Sequence, residues 1–258
     1  MAAVLERGFV RASGPDAVAY LQSMVSNDVE AIAPGGGVYA LLLTPKARVI
    51  ADLEVFRTGA DLVLACPPET AEGVLGTLLR ARFRKKVVLE PADYALVWGD
   101  ADGALAELAT PVGVERLLEA APANGATSAV GWELARIEAG VPRFGHEFDA
   151  DSMPAEAGLE ERAISFTKGC YPGQEPVARL HYRGHANRGV RGVRFAAAAA
   201  APGTPVTVDG AQVGKITSVV ESPRFGPIGL AVLRREVADG AAGDAGGIAL
   251  TVSALPFS

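Results

Sequence analysis

The sequence predicts an α+β protein that ends in a small all-β domain. Three observations carry this expectation. The first hundred residues alternate between strand-like and helix-like patterns. From Arg188 onward only strand patterns appear. An Asp209-Gly210 pair stands between two alternating stretches, the signature of a tight hairpin. At 258 residues the chain has room for one large domain or two to three small ones.

The elements follow in order. Residues 7–14, "RGFVRASG", form a short strand and a turn, and "PDAVAYLQSMV" (15–25) forms a helix with Pro15 at its first position. Val18, Leu21, Met24 and Val25 share one face of that helix. "SND" (26–28) ends it, and three glycines (35–37) make a loop. "VYALLL" (38–43) and "VIADLEVFR" (49–57) are strands joined by "TPKAR", a candidate hairpin. "DLVLAC" is a third strand, stopped by Pro67-Pro68. "TAEGVLGTLLRAR" (70–82) is a helix with an apolar stripe of Val74, Leu75, Leu78 and Leu79, and residues 86–99 return to strand. The order β-α-β-β(-β)-α-β suggests a split βαβ, ferredoxin-like unit. Residues 101–129 are Ala-, Gly- and Pro-rich and carry no clear periodicity. "WELARIEAG" (132–140) is a short helix capped by Gly140. "GVRGVRF", "TPVTVDGAQVGKITSVV", "IGLAVLRR" and "GIALTVSAL" supply the strands of a C-terminal barrel or sandwich.

The net charge of −6 argues against bulk nucleic-acid binding. Basic residues cluster locally at 80–86 and between Arg179 and Arg194, as solvated faces or as an anion site. Two cysteines make no disulfide framework, and there is no CxxC. His181 and His185 have HxxxH spacing, but Gly184 interrupts the stretch and no third ligand is evident, so no metal site is expected. Glu6 and Arg7 interrupt what a signal peptide would need, and no apolar run nears the ~20 residues that span a bilayer. The expectation is a cytoplasmic protein, monomeric and without membrane contact.

The stretch "KGCYPGQEPVAR" (168–179) is out of character with the chain around it. Cys170 stands between Gly169 and Gly173, with Lys168 before it and Gln174 and Glu175 after it. As a packing turn, the glycines would supply backbone freedom and Cys170 would be a small buried hydrophobe. As a functional loop, the glycines would expose the thiol and Lys168 would stabilise its thiolate. These residue types do not by themselves name a reaction.

This stretch resembles the K-G-C-Y/F-x-G-Q-E-x-x-A-R motif of the YgfZ-type folate-binding proteins, relatives of the aminomethyltransferase (T-protein) of the glycine cleavage system. Further blocks resemble the family in order: "YLQSMVSNDV" (20–29), "LLLTPKARVIADLEVFR" (41–57), "ARIEAGVPRFGHEFD" (135–149), "MPAEAGL" (153–159) and "YRGHANRGVRG" (182–192). Ala47 departs from the pattern, standing where the family usually has glycine.

The resemblance implies a T-protein-like architecture: two α+β units up to residue 187, with a boundary near 100, and a barrel over 188–258. Tetrahydrofolate or a one-carbon derivative would sit in a central opening. Family members support assembly or repair of iron–sulfur enzymes, so folate and iron–sulfur clients or assembly factors are the implied partners. Cys170 would be the reactive group at the pocket mouth, with Lys168 beside it and Asp52 near the folate nitrogens. Asp28, Asp52 and Glu138 would meet the pterin donor edge. Asp28 and Asp52 could equally be a helix-end cap and an exposed strand residue. Tyr171, Gln174 and Glu175 would line the site, and Arg179, Arg183 and Arg188 would hold the glutamate tail. Three roles stay open: an iron–sulfur maintenance factor, an aminomethyltransferase of one-carbon metabolism, and a folate-binding module without catalysis.

Overall fold

The computed structural model describes residues 2–122 and 129–258. Its elements run β1 (Ala2–Leu5), β2 (Gly8–Ser13), α1 (Ala17–Gln22), β3 (Gly37–Leu43), β4 (Val49–Thr58), β5 (Asp61–Cys66), α2 (Ala71–Ala81), β6 (Val88–Ala92), β7 (Ala95–Gly99), β8 (Ala106–Thr110) and β9 (Gly113–Leu118). They continue with α3 (Val130–Glu138), α4 (Glu160–Ala163), α5 (Gln174–Arg183), β10 (Arg188–Phe195), β11 (Pro205–Val208), β12 (Ala211–Ser222), β13 (Gly226–Arg234), β14 (Ala242–Ala245) and β15 (Ile248–Ser253). Two compact units result: Met1–Ala129 with Leu159–Arg179, and Val130–Gly158 with Leu180–Ser258.

The first unit holds two sheets. One has the order β3-β4-β5-β2-β6, and every ladder in it is antiparallel. Three strands lie between α1 and α2, and the last of them, β5, pairs antiparallel with β2. Strand alternation gives β4 two different faces. Ala51, Leu53 and Val55 join the core that Tyr20 and Leu21 of α1 and Val74 and Leu78 of α2 complete. The Tyr20 hydroxyl donates to the Leu78 carbonyl (2.6 Å), tying the two helices together. Leu79, expected in the apolar stripe of α2, is exposed. Asp52, Glu54 and Phe56 alternate with the core residues and lie on the opposite face.

The other sheet of this unit has the order β1-β7-β9-β8. It absorbs part of the stretch left without an assignment: β8 and β9 form a hairpin over 106–118. Residues 123–128 of that stretch lie outside the described residues. Its strands "AELAT" and "GVERLL" alternate only weakly, and Glu115 puts an acid on the inward face it shares with Leu117.

In the second unit six strands close a barrel, β10-β13-β12-β11-β14-β15. Val193, Val206, Ile216, Ala231, Leu233, Leu250 and Val252 fill its core. Asp209 (φ +49°) and Gly210 (φ +77°) form the two-residue turn between β11 and β12, both in the left-handed region that such a hairpin requires. Alongside the barrel strands, α3 places Arg136, fully buried, in a closed network. The guanidinium donates to Glu133 (2.7 Å), Glu147 (3.1 Å), the Ser218 hydroxyl (2.7 Å) and the Val141 carbonyl (3.1 Å). Ser218 donates in turn to Glu147 (2.6 Å).

Candidate functional site

The cysteine loop is built on the "SND" stretch that follows α1. Ser26 is buried; its hydroxyl accepts from the Leu41 amide of β3 (2.8 Å) and donates to the Ala163 carbonyl at the end of α4 (2.5 Å). The Asn27 side-chain amide donates to the carbonyls of Tyr39 (2.8 Å) and Arg162 (3.0 Å). Two motifs some 140 residues apart are thereby knitted into one structure.

Lys168 completes the connection. Its ammonium donates to the carbonyls of Gln22, Val25 (2.6 Å) and Asn27 (3.1 Å), and it stands 5.2 Å from the centre of the Tyr171 ring. Burial pulls its pKa down to about 8, while Asp28 and Glu30 oppose the shift. All three donor positions of the ammonium face backbone carbonyls, so its visible role is to anchor the loop. Gly173 seats the far side of the loop. It has φ +85°, and a Cβ there would stand 2.6 Å from the Thr44 carbonyl and 3.1 Å from the Ala47 Cα. Ala47 itself has φ +58°, a left-handed conformation that explains why a glycine suits this position.

Cys170 is exposed at the crest of this loop. Cys66, on β5, is its opposite: fully buried, with burial pushing its thiol up to about 11. Tyr171 turns inward, and its hydroxyl is buried without a hydrogen-bond partner among the described residues; burial pushes its pKa to about 12. Gln174 and Glu175 are not loop residues but the first turn of α5, where Pro176 is tolerated because first-turn amides lack helical partners.

The most unusual group is Asp52. It is 4% exposed, not the open strand residue that was one expectation for it. Its Oδ2 accepts from the Tyr39 hydroxyl (3.1 Å), whereas Oδ1 is buried with no partner among the described residues. Burial, reinforced by neighbouring Glu54, raises its pKa to about 6 against the opposing pull of Arg7 and Tyr39. Arg7 is occupied by a two-pronged pair with Glu54 (2.8 and 3.2 Å). The Arg162 guanidinium stacks over the Tyr39 ring at 4.7 Å. Asp28 caps no helix, since α1 ends at Gln22; its Oδ1 closes the following turn, accepting from the Ala31 amide (3.2 Å) and the Gln22 side-chain amide (3.0 Å).

The first unit therefore contains Asp28, Asp52, Lys168, Cys170, Tyr171, Gln174, Glu175 and Arg179, the last exposed on α5. Glu138, Arg183 and Arg188 belong to the second unit. There Glu138 accepts from the Ser222 hydroxyl (2.6 Å), while Arg183 and Arg188 are exposed. Tyr39, Arg162, Arg7 and Glu54 were not among the expected site residues. The one signal for them was an acid pair, Asp52 and Glu54, at alternate positions of an otherwise apolar strand.

Residues 187–257 match the family model for the CAF17 C-terminal β-barrel domain. The chain is 30% identical over 218 residues to the iron–sulfur cluster assembly factor IBA57 homolog, mitochondrial, of Mycosarcoma maydis, covering 71% of this chain and 54% of the relative. It is 29% identical to the tRNA-modifying protein YgfZ of Yersinia pestis, covering 68% and 64%. The chain thus spans between about half and two thirds of the length of these curated relatives. Its fold matches that of the glycine cleavage system aminomethyltransferase T from Bartonella henselae, with a TM-score of 0.83 at 18% identity over 100% of this chain and 86% of the other. The barrel is thus that of the CAF17 C-terminal domain, the chain is similar to YgfZ and IBA57 proteins, and its fold is that of the T-protein.

Proposed function

We propose that this protein binds a reduced folate and supports the assembly or repair of iron–sulfur proteins through Cys170. One observation carries the folate half: the buried, unpartnered Oδ1 of Asp52. A buried carboxylate oxygen without a donor is costly, and a ligand that brings N–H groups removes the cost. The donor edge of a pterin is such a ligand. Tyr39 would orient the carboxylate, and the Arg162–Tyr39 stack would give the ring a flat neighbour. A bound reduced folate would supply nitrogens able to carry a one-carbon unit. The carboxyl of Asp52 would hold or release a proton beside them, and the Lys168 anchor would hold the exposed thiol in place.

The iron–sulfur half rests on Cys170 being accessible and on the kinship with a protein named as an iron–sulfur cluster assembly factor homolog. Glu138 and the exposed Arg179, Arg183 and Arg188 remain proposals for the folate's polar edge and glutamate tail. The T-protein fold favours one second reading, an aminomethyltransferase.

Calorimetry with tetrahydrofolate tests the proposal. Wild-type protein should bind, with stabilisation of about 2.7 kcal/mol at a hundredfold excess over Kd. Asp52→Asn should weaken binding at least tenfold. Cys170→Ser should bind folate and fold normally, yet fail to restore iron–sulfur enzyme activity in cells lacking the protein. No binding by the wild type removes the folate reading. Rescue by Cys170→Ser removes the thiol. Turnover of an aminomethyl donor would favour the second reading.

A further inference from the structure

The second unit carries a cleft of about 700 Å³ lined by His185, Asn187, Arg188, Arg234, Arg235 and Glu236. Its making is unusual. Arg188 opens β10, Arg234 closes β13, and the two are direct partners in the antiparallel ladder. Like charges directly opposite one another destabilise a sheet. Arg235 adds a third guanidinium next in sequence, and its amide bonds the Asn187 carbonyl (2.9 Å), fixing the 185–188 segment beside the end of β13. The only counter-charge in the lining is Glu236, 3.9 Å from Arg234, a distance at the outer limit of an ion pair. Arg188 and Arg235 make no side-chain hydrogen bond or ion pair among the described residues. Three guanidinium groups against one carboxylate give the arginines and glutamate of the lining a balance of +2.

We propose that this cleft binds a phosphate-bearing ligand. Repulsion between Arg188 and Arg234 is relieved by an oxyanion that both can hold, and guanidinium forks match phosphate geometry. A dianionic group neutralises the +2 lining, which a single carboxylate does not. The volume exceeds that of a lone phosphate and falls in the range of small-ligand pockets, so the group carries an organic portion of roughly nucleotide size. The phosphate can come from a free small ester or from a nucleic-acid backbone. This inference takes Arg188 away from the folate tail and leaves the roles proposed for Asp52 and Cys170 untouched.

The test titrates the full chain with inorganic pyrophosphate, ADP, a labelled single-stranded oligonucleotide and a tetraglutamate peptide, for wild type, Arg188→Gln/Arg234→Gln and Arg80→Gln on α2. Pyrophosphate and ADP should bind wild type and Arg80→Gln alike, and the double variant at least tenfold more weakly. The double variant should melt, without ligand, at the wild-type temperature or above it, because a repulsion has been removed. Oligonucleotide binding that depends on the same two arginines supports the phosphate chemistry and assigns it to nucleic acid. Binding of tetraglutamate in preference to every phosphate probe overturns the proposal and returns Arg188 to the folate tail. So does equal binding by wild type and double variant, or binding by neither. A lower melting temperature for the ligand-free double variant assigns the arginines to the fold and likewise overturns it.

Discussion

Asp52 and Glu147 are both buried acids, one in each unit, and they are buried differently. Both oxygens of Glu147 are occupied: Oε1 accepts from Ser218, and Oε2 accepts from Arg136 and from the Arg143 amide (2.9 Å). Among the described residues Asp52 has Tyr39 on one oxygen and nothing on the other. A closed polar network fixes a structure and has no valence left for a ligand. An open one leaves part of its desolvation cost unrelieved, which a ligand can offset. The same residue type thus marks architecture in one place and a site in the other.

The largest test of this contrast breaks the closed network. Arg136→Met leaves Glu147 as an unpaired buried charge and should cost about 3–5 kcal/mol, read as a lower denaturation midpoint. A midpoint close to wild type would show that Glu147 finds other partners and that the network is not closed.

The open site gives a smaller effect with a defined pH signature. Burial raises the native pKa of Asp52 above the ordinary carboxylate value to about 6. Between about pH 4 and 6 the native state therefore holds this proton more tightly than the unfolded chain does. The stability it contributes is full below that window and is lost as pH rises through 6, on the order of 2–3 kcal/mol. Asp52→Asn should flatten that part of the stability–pH curve and be more stable than wild type at pH 7. Folate affinity of the wild type should rise over the same interval, as the carboxylate forms. An unchanged curve in Asp52→Asn would place the titration elsewhere.

The smallest effect sharpens the account of the thiol loop. Ala47→Gly relieves a left-handed alanine but removes a buried methyl, so stability should shift upward by no more than about 1 kcal/mol. Thermal melting checks the sign; a clear loss would mean that burial of the Ala47 methyl outweighs the backbone strain.

Much of this molecule was legible in the sequence because its signals are local. The Asp209-Gly210 hairpin, the β3–β4 pair and the two helices over the first sheet follow from turn chemistry and periodicity. Sheet membership of β1, β8 and β9 was not legible: their strands alternate weakly, and their partners are set by distant pairing. Helix α5 was hidden by the glycines and prolines before it, because first-turn positions tolerate residues that usually signal a loop.

The candidate site divides along the same line. A backbone turn at 168–179 was legible, since glycine and proline act on their own backbone; whether Cys170 is buried or exposed was left open there, and the fold exposes it. That Lys168 faces carbonyls of residues 22–27 was not legible, because charge proximity in sequence says nothing of where a long side chain ends. Nor was the open oxygen of Asp52. Burial and hydrogen-bond completion belong to the set of neighbours that folding assembles, and only the tertiary structure decides that set.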